Sequence, residues 1–191
     1  MKQLQSLVIL GFASAVAGSA MAAPETFVVD PTHTAPRFEY NHLGYSNQVH
    51  RFDKTEGKIV FDKTAKTGSV DISIDVKSVN TGYGEFNQHI QGEDFFDTAK
   101  FPTITFKSKK VVFKKDKPVK VEGDLTIKGV TKAVTLNVSS FHAMPHPMVK
   151  KDAIGANASV KIKRSEFNMG KYAPYVSDEV TLSIAVEAVK E

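Results

Sequence analysis

From residue 24 onward, apolar and polar side chains alternate with a period of two. Phe38, Tyr40 and His42 share one face, against Arg37, Glu39 and Asn41 on the other. The same alternation runs through Ile72, Ile74 and Val76, Ile104 and Phe106, and Leu125 and Ile127. It continues in Val134, Leu136 and Val138, in Val160 and Ile162, and in Val180, Leu182, Ile184 and Val186. A strand points successive side chains to opposite faces, so this pattern predicts antiparallel sheet with one wet face; buried parallel strands would be apolar on both. Lys66-Thr67-Gly68, Lys115-Asp116-Lys117-Pro118 and Lys128-Gly129 supply turns between sequence neighbours. About eight such strands hide their edges most economically by closing on themselves. The predicted fold is all-β: a single antiparallel barrel of about eight strands.

Residues 83–99 break the alternation. Phe86 and Ile90 stand four apart and predict a short helix, Asp94 is placed to cap a second turn holding Phe95 and Phe96, and Pro102 prevents continuation. A Phe-rich connection between strands suits either a lid over the barrel mouth or a plug in its end.

The first 22 residues have a different character. Lys2 is followed by an uncharged apolar run, Leu7 to Ala17, and by Ala20-Met21-Ala22, which fits a small-x-small cleavage site. Residues 1–22 are therefore expected to be a cleaved signal peptide, with residues 23–191 forming one barrel domain of an exported, periplasmic protein. The 191 residues include no Cys, which excludes disulfide frameworks, thiol nucleophiles and Cys-ligated zinc together. A formal net charge of +4 is too mild to point to nucleic acid.

Candidate chemistry is sparse. The histidines His33, His42, His50 and His89 form no i,i+4 ligand pair, and no nucleophile-elbow, zinc-protease or phosphate-loop motif is present. An enzyme acting on a lipid would draw its base from His33, His42 or His89. His142, Met144, His146 and Met148 recur every second residue beside Pro145 and Pro147. Extended backbone would turn all four the same way, a donor set suited to copper. Seven lysines crowd residues 107–120. They suit either attraction to anionic head groups or a solubilising hairpin that discourages edge pairing.

Several runs resemble the YceI-like family of periplasmic lipid-binding proteins: His33-Thr-Ala-Pro-Arg-Phe38-Glu-Tyr-Asn-His42-Leu-Gly44, Val76-Lys-Ser-Val79-Asn-Thr81 with Asn87-Gln-His89-Ile90, and Asp94-Phe-Phe-Asp97-Thr-Ala-Lys100-Phe-Pro102. Gly123-Asp-Leu-Thr126-Ile-Lys-Gly129-Val-Thr131, Arg164-Ser-Glu-Phe167-Asn-Met169 and Val176-Ser-Asp-Glu-Val180 continue the likeness in the same order. Asn168 stands where the family has Gly, and Asn also accepts left-handed backbone. The resemblance implies a lipocalin-like barrel and a non-catalytic carrier that encloses a long isoprenoid lipid or isoprenoid quinone, with no covalent cofactor. Transient contact with a membrane surface or a membrane protein is a further expectation for such a carrier, and homodimerisation is left open. Phe38, Tyr40, Ile72, Ile74, Ile104, Phe106, Leu125, Ile127, Leu182 and Ile184 are the expected wall of the ligand site, with Phe86, His89, Phe95 and Phe96 as lid. His42, Arg164 and Tyr172 join His89 as expected polar groups at the mouth. Copper handling and a non-catalytic stress-response role are the alternatives.

Overall fold

The computed structural model describes residues 23–191; the expected signal peptide lies outside the described residues. Eleven strands follow in chain order. They are β1 (Glu25–Val29), β2 (Arg37–His42), β3 (Ser46–Phe52), β4 (Thr55–Asp62), β5 (Thr67–Asp75), β6 (Val79–Asn80), β7 (Thr103–Lys114), β8 (Lys117–Ile127), β9 (Val130–Pro145), β10 (Asp152–Lys163) and β11 (Glu179–Lys190). One helix, α1 (Gly84–Ile90), interrupts them.

Eight strands close the barrel in the order β1-β4-β5-β7-β8-β9-β10-β11, with β11 pairing back to β1. The remaining three hang on β11. Its last residues pair with β1, as in Val29 with Ala188, while Thr181 to Ser183 pair with Glu39 to Arg37 of β2. Thus β2, β3 and β6 carry the wall onward where β1 ends. Every pairing is antiparallel, as the alternation predicts.

Local sequence accounts for the turns. Lys128 and Gly129 both take positive φ, +48° and +74°, giving the two-residue hairpin between β8 and β9. Gly123 faces a bulge in β7 between Ser108 and Lys110. A Cβ there would lie 2.5 Å from the Lys107 carbonyl oxygen and 2.8 Å from Ser108 Cα, so only glycine lets β8 approach. Asn168 adopts the left-handed conformation, φ +58°, in place of the family's glycine.

The barrel ends differ. At one end the hairpins β4–β5, β7–β8 and β9–β10 surround a small core of Phe27, Phe61, Ile154 and Ala188, against which Phe113 and Phe141 pack. At the other end α1, residues 91–102 and residues 168–178 cross the opening. Phe86 and Ile90 lie on one helix and Phe95 and Phe96 in a turn after it, as expected. The chain there makes consecutive turns, and Asp94, rather than capping one, pairs with Lys171. The lysine-rich stretch forms the β7–β8 hairpin at the end away from these loops. Lys107 and Lys109 there pair with Asp71 and Asp124.

Candidate functional site: an apolar cavity under an aromatic lid

The closed wall surrounds a cavity of about 370 Å³, within the range of small-molecule sites. Large inward side chains alone would fill a barrel of eight strands. The space here comes from small ones: Ala156 and Ala158 of β10 and Gly68 of β5 stand in the inward rows of their strands and on the lining. Facing this space, Ile72, Ile74, Leu182 and Ile184 are only partly buried, whereas Ile104, Phe106, Leu125 and Ile127 are buried.

All seventeen residues expected at the site line this one cavity, from Phe38 and Tyr40 on β2 to Leu182 and Ile184 on β11. Phe86, His89, Phe95 and Phe96 come from α1 and the turns after it, and His42 and Tyr172 stand exposed at the rim. The lid aromatics form a continuous series of ring contacts. Tyr172 meets Phe95 at 6.2 Å, Phe95 meets His89 at 5.1 Å, and His89 meets Phe86 at 6.0 Å. Phe86 then reaches His50 at 5.5 Å, and His50 reaches Phe38 at 5.4 Å. Phe96 closes over Phe38 and Phe52. Aromatic pairs of this kind each add about 0.5–1.5 kcal/mol beyond area burial.

Arg164 is 8% exposed, and among the described residues no carboxylate bonds its guanidinium; it donates instead to four backbone carbonyls. Nε bonds Ser177 O at 2.9 Å, Nη1 bonds Lys171 O at 2.8 Å and also Met169 O, and Nη2 bonds Val176 O at 2.7 Å. Burial lowers its pKa, with Asp178 and Tyr40 acting the other way. The side chain therefore pins the 168–178 loop over the mouth while also lining the cavity.

Three buried polar wall residues are not among the expected site residues: His50 of β3 and Thr55 of β4, 5% and 3% exposed, and Thr34, whose hydroxyl is bonded to the Glu187 backbone. The Tyr40 hydroxyl lies 3.2 Å from His50 Nε2. Burial lowers the His50 pKa and raises that of Tyr40, so both are neutral near pH 7. The signal for His50 is its place in the inward row Gln48, His50, Phe52, paired across to Phe38. His33, one of the candidate bases, is instead outside the cavity lining, bonded through Nδ1 to Asp30 at 2.7 Å.

The candidate copper segment does not stay extended. β9 ends at Pro145, residues 147–149 turn, and His146 Nδ1 accepts the backbone N–H groups of Met148 and Val149 at 3.2 and 3.3 Å. Met148 is 84% exposed at the tip. Pro147 sits in the turn, so the two prolines do not hold the four donors in one extended row.

A family model for the YceI-like domain matches residues 27–188. Protein YceI of Escherichia coli O17:K52:H18 is 38% identical over 191 residues, covering 98% of this chain and 98% of that one. The crystal structure of Burkholderia cenocepacia BcnA superposes with a TM-score of 0.72 at 28% identity, over 84% of this chain and 99% of the other. A polyisoprenoid binding domain from Saccharophagus degradans shares the fold, with a TM-score of 0.66 at 19% identity over 86% of this chain and 98% of that one. The family match runs from the first barrel strand to the last, and the chain belongs to the YceI-like family.

Proposed function

We propose that this protein binds a long isoprenoid lipid, a polyprenyl lipid or an isoprenoid quinone, in the barrel and carries it through the periplasm. The observation that carries this reading is a closed barrel whose interior is left unfilled and walled almost wholly by hydrocarbon. Apolar chain entering such a space gains about 25 cal/mol per Å² removed from water, before ordering costs. The Saccharophagus relative, a polyisoprenoid binding domain on the same fold, supports the ligand class. The expected leader supports the compartment.

The reading is of a carrier rather than a catalyst. Among the described residues, no Asp, Glu or Lys stands on the cavity wall, so its imidazoles have no carboxylate neighbour there to build a nucleophile–base–acid chain. The rim fits a carrier that meets a membrane: Leu43, Tyr45, Tyr83, Tyr172 and Tyr175 are all exposed around the lid end. Tyrosine favours the interface between water and lipid because one end is apolar and the other hydrogen-bonds.

Native mass spectrometry of protein purified from its own periplasm, followed by organic extraction, tests the reading. The expected result is an isoprenoid of defined mass released from the complex. Bare polypeptide that also fails to bind added prenyl lipids would sink it.

A further inference from the structure

We infer that His50 and Thr55 form a polar step inside the barrel that hydrogen-bonds an uncharged oxygen on the lipid, so that the ligand lies with its carbonyl- or hydroxyl-bearing end under the lid and its chain toward Phe27 and Phe61. This rests on the lipid-carrier reading and refines it to a ligand orientation and a head-group class.

Among the described residues, two buried side-chain polar atoms lack any hydrogen-bond partner: His50 Nδ1 and Thr55 Oγ1. Both belong to residues on the wall of the same cavity. An unmatched buried polar atom is costly, and native folds rarely keep one without a use for it. The Tyr40 hydroxyl uses His50 Nε2 but leaves Nδ1 idle among the rings of Phe38, Tyr40 and Phe86. Thr55 sits across from Ile74, where hydrocarbon would pack equally well.

The chemistry of the step selects the partner. Tyr40 donating to Nε2 leaves Nδ1 as an N–H donor, free for an acceptor; the Thr55 hydroxyl both donates and accepts. Two arginines border the cavity. Arg37 is exposed to water, and Arg164 spends its guanidinium on four backbone carbonyls. Three or more anionic oxygens of a diphosphate would find too few buried donors here. A single carbonyl or hydroxyl oxygen matches the inventory. Polarity also grades along the barrel axis. His42, His89 and Tyr172 stand with His50 and Arg164 at the lid end, whereas Phe61, Phe141 and Ile154 line the other, where the Thr34 hydroxyl is already spent on the Glu187 backbone.

The test compares four probes sharing one prenyl chain: geranylgeraniol, a quinone with the same side chain, the diphosphate and the parent hydrocarbon. Affinities are read by competition against a fluorescent fatty probe in purified protein. The wild type should prefer the alcohol or the quinone over the hydrocarbon by at least about tenfold, and either should exceed the diphosphate; which one leads identifies the source of the oxygen. Thr55→Val should cut that preference roughly tenfold, the size of one lost buried hydrogen bond, and Thr55→Ser should restore it. His50→Gln, which leaves Tyr40 a partner while removing Nδ1, should act in the same direction. Ligand-free Thr55→Val should melt no lower than wild type. The inference fails if both variants leave the alcohol-to-hydrocarbon and quinone-to-hydrocarbon ratios unchanged, or if the diphosphate binds best. Wild-type protein that binds none of the four overturns the carrier reading itself.

Discussion

Filling the cavity from its own wall separates a binding chamber from an ordinary core. Ala158 of β10 stands between Ile184 and Val138 in the register and lines the cavity at mid-barrel. In a packed interior, Ala158→Phe would force strain costing about 1–3 kcal/mol, a fall of roughly 2–12 °C in melting temperature for a domain of this size. In a 370 Å³ space the added ring replaces empty volume and removes its own apolar surface from water, a gain of about 1.5–3 kcal/mol. Ligand-free Ala158→Phe should therefore melt at or above the wild-type temperature. The ring occupies room comparable to one prenyl repeat of the ligand. At about 0.8 kcal/mol per buried methylene-sized group, expelling that repeat costs about 4 kcal/mol, close to a thousandfold in affinity. Scanning fluorimetry on delipidated protein and competition binding give the two readings. A variant that melts lower yet still binds prenyl lipid at wild-type strength refutes the assignment of this cavity to the ligand.

Other outcomes follow from the same contacts. Phe95→Ala with Phe96→Ala should speed ligand dissociation by an order of magnitude or more, at a stability cost of about 3–5 kcal/mol for the two half-buried rings together; unchanged dissociation in stopped-flow measurements alongside that fall in melting would make them plain core. Arg164→Lys cannot reach the same set of carbonyls and should cost about 2–4 kcal/mol, with hydrogen exchange rising first in residues 168–178; protection unchanged in that loop would count against the clamp. His50 titrates low because burial disfavours its cation, so the unfolded chain takes up a proton that the folded one resists and stability falls as pH drops below about 6.5. Exposed His33, raised by its bond to Asp30, contributes in the opposite sense, and Asp30, held at about 2, contributes only at far lower pH; the difference between wild type and His50→Gln across pH 5–7 isolates the His50 effect, and parallel curves would exclude it. Gly123→Ala should destabilise strongly, since its Cβ meets the β7 backbone, and a melting temperature within a degree of wild type would show that the bulge relaxes freely.

What can be read from the chain depends on whether one row of side chains is uniformly apolar. β5, β8, β11 and β7 up to its bulge meet that condition, and their inward residues follow from the alternation alone. β3 does not: its inward row is Gln48, His50 and Phe52, which reads as mostly polar although two of the three are buried. β4 runs Ile59-Val60-Phe61 without alternation where it pairs with β1. The wall of the site is thus legible, but not that the wall encloses space. Alternation is identical for a filled and an unfilled barrel, and the difference lies in where Gly68, Ala156 and Ala158 fall relative to strands distant in sequence. The role of Arg164 is hidden for the same reason, since its four acceptors lie 5–13 residues on, in a loop without periodicity. Prolines mislead at residues 142–148, where the second one marks a turn instead of prolonging the strand.

The two barrel ends also decide how a ligand gets in. The wall takes its stability from backbone pairing that closes on itself, so the interior can stay unfilled without a disulfide to hold it. Opening the floor would mean breaking hairpin ladders together with the Phe27, Phe61, Ile154 and Ala188 cluster beneath them. Opening the lid means moving a helix of 7 residues, far too short to persist alone, and turns that follow it. What holds that helix down is largely the set of rings that also faces the cavity: Phe86 on His50, Phe96 on Phe38 and Phe52, Phe95 on His89 and Tyr172. A bound chain adds contacts to those same rings, so occupancy and closure reinforce each other through one set of surfaces. On the proposed carrier reading, anything that draws the exposed rim tyrosines into another apolar phase competes for the same lid, so lid opening should be faster in the presence of lipid vesicles than in buffer.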